Sequence, residues 1–212
     1  MAQREVRHLR EQDVRRLPWK NGRGVTRELA LWPPGSNFER GDFDWRISAA
    51  RVEESGPFSE FAGFDRILVI TEGEGLILEH GHAAARARLR RFEPYRFSGD
   101  WPTHCELVRG PLSDFNVLTR QGSFTAQALA ANLGRRCLRE PTSAKFVFVH
   151  ALGAALTARV SGEELPLTLE PGESLFLADL AAHDELELAG QSELSAVVVV
   201  RITPQSRQAG RG

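Results

Sequence analysis

No stretch of this 212-residue chain approaches the ~18 consecutive apolar residues that a membrane helix requires, so no partnership with a membrane is expected. The first residues, Met1-Ala2-Gln3-Arg4-Glu5-Val6-Arg7, lack the apolar core of a secretory signal. Two cysteines, Cys105 and Cys137, are too few for a disulfide scaffold, and their spacing matches no metal motif. These absences point to a cytoplasmic protein with two free thiols. The formal net charge of -1 leaves no dominant basic field, which argues against a nucleic-acid partner. The local run Arg86-Ala87-Arg88-Leu89-Arg90-Arg91 alternates as a strand with one solvated face does. Long stretches of helical period are scarce as well.

What the chain does have is many short apolar runs bounded by Gly, Pro and Asp. They fall at 28–32, 45–52, 66–71, 75–79, 87–92, 105–108 and 115–119, and again at 145–150, 155–160, 165–169, 173–177, 184–188 and 196–202. Frequent short strands with regular turn signals predict an all-β sandwich or barrel. Only 127–138 suggests a turn of helix between the halves.

The two halves resemble each other. Shifting Arg66-Ile67-Leu68-Val69-Ile70 by 79 positions lays it over Lys145-Phe146-Val147-Phe148-Val149. The same shift puts Phe97 on Phe176, Glu106-Leu107 on Glu185-Leu186, and Asp114-Phe115 on Glu193-Leu194. A duplicated barrel follows, with 1–125 as the N-terminal segment plus a first barrel, 126–203 as a second and mainly structural barrel, and 204–212 as a flexible tail. Polar groups concentrate in the first half, so the pocket is expected there.

Arg46 is the leading candidate. A guanidinium offers a planar fork matched to a carboxylate. Strand alternation puts Asp44, Arg46 and Ser48 on one face, toward either a hollow barrel or solvent, and Trp45 and Ile47 on the other. Lys20 and Asn21 could add donors from a loop whose Gly22 and Gly24 permit close backbone approach, although Asn21-Gly22 is equally a turn signal. Asp114 and Asn116 share a face across Phe115. Asp65-Arg66 is either part of the site or a salt-bridged strand start.

Two catalytic readings fail on geometry. His104 and Cys105 are adjacent on a strand and point to opposite faces, so Cys105 is expected to be a buried, inert thiol. Ser48, Ser55 and Ser59 have no visible His partner. His80-Gly81-His82 has the spacing of two same-face metal ligands, but Ala83-Ala84-Ala85-Arg86 follows where a Glu would be needed. No metal and no other cofactor is therefore expected, and His80 and His82 are assigned to a solvated hairpin tip.

Glu72-Gly73-Glu74-Gly75 and Glu170-Pro171-Gly172-Glu173-Ser174-Leu175 resemble the two characteristic turns of a cupin, one in each half. More specific is the string Trp19-Lys20-Asn21-Gly22-x-Gly24-x-Thr26-x-Glu28, Asp42-Phe43-x-Trp45-Arg46-x-Ser48-x-Ala50 and Gly56-Pro57-Phe58-Ser59-x-Phe61-x-Gly63-x-Asp65-Arg66. With Phe97-Ser98-Gly99-Asp100-Trp101-Pro102 and Gly110-Pro111-Leu112-Ser113-Asp114-Phe115-Asn116, it resembles the HutD/Ves family over roughly residues 8–120. The resemblance implies a bicupin of two tandem jelly-roll-like β-barrels. It carries over a pocket of Trp19, Asn21, Thr26, Glu28, Trp45, Arg46, Ser48, Phe58, Asp65, Arg66, Asp114 and Asn116, and no catalytic activity.

Family members are associated with histidine-utilisation operons. The expected function is binding of a small anionic metabolite, such as N-formylglutamate, that modulates histidine catabolism. The alternative is a metal-independent cupin enzyme, isomerase- or epimerase-like, with Glu28, Asp65, His104 or Asp114 as acid or base. Whether two copies pair as a homodimer is left open, since nothing in the sequence fixes an interface.

Overall fold

The computed structural model describes residues 4–19, 24–81, 85–141, 143–181 and 183–205, nearly all of them in strands and turns. No helix among them is long and apolar enough to cross a membrane. The chain divides into two units, one built on Val14–Ala126 and one on Gln127–Thr203 together with residues up to Asp13.

The first unit pairs a six-stranded sheet with a four-stranded one. The large sheet runs β2 (Arg15–Pro18), β3 (Val25–Trp32), β4 (Trp45–Val52), β11 (Leu112–Arg120), β6 (Phe64–Glu72), β9 (Tyr95–Ser98). The small sheet runs β5 (Gly56–Phe58), β10 (Thr103–Leu107), β7 (Leu76–His80), β8 (Ala85–Leu89). Val52, Leu68, Ile70 and Leu112 from the large sheet meet Leu76, Leu78, Leu89 and Cys105 from the small one in a single buried cluster. Burial of such faces is the main force closing the two sheets into a barrel.

The second unit repeats this plan. Its large sheet runs β12 (Phe124–Asn132), β19 (Ala196–Pro204), β14 (Phe146–Leu152), β17 (Ser174–Ala178), β1 (Glu5–Leu9). Its small sheet runs β13 (Cys137–Pro141), β18 (Glu185–Gly190), β15 (Leu156–Val160), β16 (Leu167–Leu169). The order β4-β11-β6-β9 reappears as β12-β19-β14-β17, and β5-β10-β7-β8 as β13-β18-β15-β16. The duplication is thus present strand for strand, and the chain is a bicupin.

Three expectations are corrected. Residues 127–138 form no helix; they enter β12 and β13, because tertiary pairing overrides weak local helix preference. The N-terminal strand, expected with the first barrel, is the edge of the second barrel's sheet, with Val6 opposite Leu177. The gap-free offset also fails at two strands: Phe97 lies in the first barrel's core, whereas the second core takes Leu175 and Leu177 from β17 and not Phe176. Asp114 lies opposite Ile70 and Val199 opposite Val149, so the counterpart of Asp114 is Val199 rather than Glu193. Of the tail, 206–212 lie outside the described residues.

The turn between β6 and β7 explains its glycines. Gly73 and Gly75 have φ of 96° and 114°, and a Cβ on Gly75 would lie 2.5 Å from the Leu89 carbonyl oxygen. On β8, Arg86 and Arg88 are exposed between more buried neighbours, and Arg86 pairs with Glu79 and Glu106, so the basic run is a solvated strand face.

Candidate functional site

Alternation along the large sheet of the first barrel sends a row of polar side chains inward. β3 contributes Thr26 and Glu28, β4 Arg46 and Ser48, β6 Arg66, and β11 Asp114 and Asn116. The register aligns them: Ser48 lies opposite Glu28 and Asn116, while Leu118 lies between Arg46 and Arg66. Apolar clusters flank the row. One contains Leu68, Ile70 and Leu78; the other contains Phe43, Phe64 and Leu118, with Phe38 and Phe61 against it. A polar belt therefore crosses an apolar barrel interior.

The two arginines of the belt have different partners. Arg46 is 4% exposed; its Nε donates to Glu28 Oε2 at 2.8 Å, and its guanidinium sits 4.1 Å from the Phe38 ring centroid. Arg66 donates from Nε (2.9 Å) and Nη2 (2.6 Å) to one oxygen, Asn116 Oδ1. The rings of Phe58, Phe97 and Phe61 lie 4.8, 5.3 and 5.5 Å from its guanidinium carbon. Asn116 Nδ2 in turn donates to Asp114 Oδ1 at 2.7 Å. The amide orientation follows from these partners, since only its oxygen can accept from the cation and only its nitrogen can donate to the carboxylate.

Burial sets the protonation tendencies. It lowers the Arg66 guanidinium to about 10, against the pull of the nearby Asp114. It raises the Asp114 carboxyl to about 6, against Arg66, the Ala50 backbone and the Asn116 amide. Among the described residues, Arg66 has no carboxylate within ion-pair distance; its direct partners are a neutral amide and aromatic faces. Two of its five N–H donors are used by Asn116. Arg46, by contrast, already has a carboxylate.

Beside the belt opens a cleft of about 590 Å³ lined by Phe58, His80, Thr103, Glu60, Pro57 and Pro102, among others. Phe58 is common to the cleft wall and to the aromatic faces around Arg66. None of the belt residues lines the cleft itself, Arg66 included; Phe58 stands between Arg66 and the cleft. His80 is 2% exposed, which corrects the solvated-tip expectation. β7 runs one residue further than expected, and alternation carries His80 inward with Leu76 and Leu78, opposite Thr103.

His80 Nδ1 contacts Thr103 Oγ1 at 2.9 Å and its Nε2 the Tyr95 hydroxyl at 3.1 Å. Thr103 donates its own proton to the Trp101 carbonyl, so Nδ1 carries the imidazole proton and Tyr95 donates to Nε2. Burial and Arg66 both hold the ring below its ordinary value, in keeping with a neutral imidazole. Among the described residues no group of three or more His, Cys, Asp or Glu could hold a metal ion. His82 lies outside the described residues.

Of the expected site residues, Thr26, Glu28, Arg46, Ser48, Arg66, Asp114 and Asn116 share the inner face, and Phe58 covers Arg66. Asn21, with Lys20 and Gly22, lies outside the described residues. The indole N–H of Trp19 donates to Thr26 Oγ1 at 2.8 Å, and a Cβ on Gly24 would approach its ring to 3.0 Å. Two residues fall elsewhere. Trp45 is on the opposite face of β4, stacked on Trp32 with centroids 6.1 Å apart, so it cannot wall the belt. Asp65 points away from Arg66 and pairs with Arg96 at 2.8 Å, because neighbours on a strand face opposite ways. This also removes the salt-bridged reading of Asp65-Arg66.

Sequence reasoning passed over Phe38, Phe61, Phe97 and His80. Phe61 and Phe97 stand inside the quoted motifs, and the Leu76-Leu78-His80 alternation could have brought His80 inside. Phe38 sits in a loop with no periodic signal. Gly99 has a visible role: a Cβ there would lie 2.5 Å from the Phe61 carbonyl oxygen, so it lets the strand carrying Phe97 pass close to Phe61. Asp100 fixes the same loop by accepting from the Gly63 N–H at 2.7 Å.

Two tandem jelly-roll barrels, the first crossed by a buried belt of charged and amide groups, define a bicupin with one polar barrel. The HutD family model matches residues 11–196, and the chain belongs to that family. It is 31% identical to an uncharacterised 21.2 kDa protein of the hutC 3' region of Pseudomonas putida, over 92% of this chain and 93% of that one. It is 36% identical to protein Ves of Cronobacter sakazakii over 57% of this chain and 65% of the relative. The solved structure of HutD from Pseudomonas fluorescens SBW25 superimposes with a TM-score of 0.75 at 28% identity, covering 95% of this chain and all (100%) of that one.

Proposed function

We propose that the first barrel binds a small anionic metabolite and that this binding modulates histidine utilisation. The observation that carries the reading is Arg66: a buried cation held by a neutral amide and three phenyl rings, beside a cleft that shares one of those rings. Among the described residues this charge has no direct counter-ion, which makes its burial costly, and a ligand carboxylate would supply one. The cleft volume is in the range of small-molecule sites. Asn116 and Arg66 would orient the carboxylate, while Phe58 and His80 would flank the remainder. Arg46, with Glu28 beside it, supports the belt rather than anchoring the ligand.

The link to histidine utilisation rests on family membership and on the names of the Pseudomonas relatives. An intermediate of that pathway carrying a carboxylate, such as N-formylglutamate, is the favoured ligand. A thermal-shift panel of N-formylglutamate, formiminoglutamate, urocanate, glutamate and histidine tests this. A ligand at a hundredfold excess over its Kd stabilises the native state by about 2.7 kcal/mol. A selective rise in Tm with one carboxylate supports the reading; no rise with any of the five removes it.

A further inference from the structure

Among the described residues, the fully buried charges of the belt balance before any ligand arrives. With Asp114 ionised, Arg46 and Arg66 supply two positive charges, and Glu28 and Asp114 two negative ones, all four being buried. Among the described residues, the other titratable groups around the belt are a thiol, an imidazole, a phenol and one half-exposed arginine. Across the barrel on β10, Cys105 is a buried thiol pushed up to about 12, and on β7 burial and Arg66 hold the His80 imidazole below its ordinary value. Tyr95 on β9 is held protonated by burial. Arg15 on β2 lies 3.8 Å from Glu28 Oε1 and is half exposed, where solvent screens its charge.

A carboxylate placed on Arg66 adds one negative charge to a space with little solvent to screen it. That excess is most easily removed at the group nearest to losing its own counter-ion. Asp114 is that group, since its link to Arg66 runs through a single amide: 2.7 Å on one side, 2.6 and 2.9 Å on the other.

We infer that an anion binding at Arg66 is taken up together with one proton from solvent, which converts the Asp114 carboxylate to the acid, with Asn116 as the fixed connection between the two. This rests on the anion-binding reading above and adds its regulation. The proton comes from bulk buffer, no other bond changes, and the one carboxylate at Arg66 is offset, while a second carboxylate on the ligand is not. A metabolite sensor so built responds to acidity as well as to its ligand: affinity rises as pH falls through the range where free Asp114 titrates, about 6. Glu28 does not substitute for Asp114, because Arg46 is hydrogen-bonded to it directly rather than through an amide.

The test uses the full chain with N-formylglutamate as the probe. Calorimetry at pH 6.5 in two buffers of different ionisation heat should give different apparent enthalpies, with net proton uptake. The Kd at pH 5 should be about tenfold below that at pH 8, the size of effect a nearby charge exerts on a carboxyl. Asp114→Asn, an imitation of the protonated acid, should bind with a pH-independent Kd and no proton uptake. Equal enthalpies in the two buffers, or a pH dependence that survives Asp114→Asn, would overturn the coupling. A ligand-free arm separates the two ideas: carbon-13 NMR should find Asp114 titrating near 6, and an ordinary carboxyl value there sinks the coupling even if the ligand binds. Failure of N-formylglutamate to bind the intact protein at either pH counts against the anion reading and takes the coupling with it.

Discussion

Arg66 gives two of its N–H groups, from Nε and Nη2, to a single oxygen of Asn116, so a buried cation is held by a neutral amide. Its inner-face neighbour across β11, Arg46, is held by the carboxylate of Glu28. The same residue type, on the same face of one sheet, is therefore committed in one case and available in the other.

Replacing Arg66 tests that availability. Arg66→Lys keeps the charge but loses the planar fork, and should weaken a bound carboxylate by roughly 1.5–3 kcal/mol, the scale of a charge-assisted hydrogen bond. Titration calorimetry with the ligand found in the thermal-shift panel measures it. Undiminished affinity in a folded variant would exclude Arg66 from the site.

Arg46 should behave as a structural residue. Arg46→Ala leaves Glu28 buried without its partner and should lower stability by about 3–5 kcal/mol in urea titration. The double variant Arg46→Met, Glu28→Gln removes both charges and should lose much less. If the single and double variants are equally unstable, the pair is not the source of the cost.

His80 links stability to pH. Its folded value lies below the ordinary one, through burial first and Arg66 second, so the unfolded chain takes up a proton near pH 6.5 that the folded chain refuses. Stability attributable to His80 is thus complete above that range and lost as pH falls through it. The difference in urea midpoint between pH 7.5 and pH 5 should shrink in His80→Gln. An unchanged difference would mean that His80 charges as freely in the folded state.

The two thiols should separate cleanly. Cys137 is exposed, whereas Cys105 is buried and pushed up to about 12, first by burial and then by Asp114. A thiol reagent should modify one cysteine in the native protein and two after denaturation. Fast native modification of both would show that the barrel opens readily at β10.

The alternation that defined the strands also put Arg46 with Ser48, and Asp114 with Asn116, on one face of their own strands, because side-chain direction along a strand is a property of the local backbone. It did not give their partners. Glu28 and Arg46 are 18 residues apart, and Arg66 and Asn116 are 50 apart. Such pairs are made by strand order and register, which no local window contains. His80 was missed for a related reason: its neighbours Gly81 and Ala83 read as a turn, and only pairing with Thr103 carries β7 as far as His80.

The sequence by itself determined the all-β class, the duplication, the family and the half of the chain that carries polar groups, since period, glycine placement and motif strings are local and repeat along the chain. Tertiary structure alone decided that the N-terminal strand belongs to the second barrel, that Arg46 is already neutralised, and that Arg66 stands beside an amide. Those outcomes depend on which strands lie side by side, and in a β-barrel almost every such neighbour is distant in sequence.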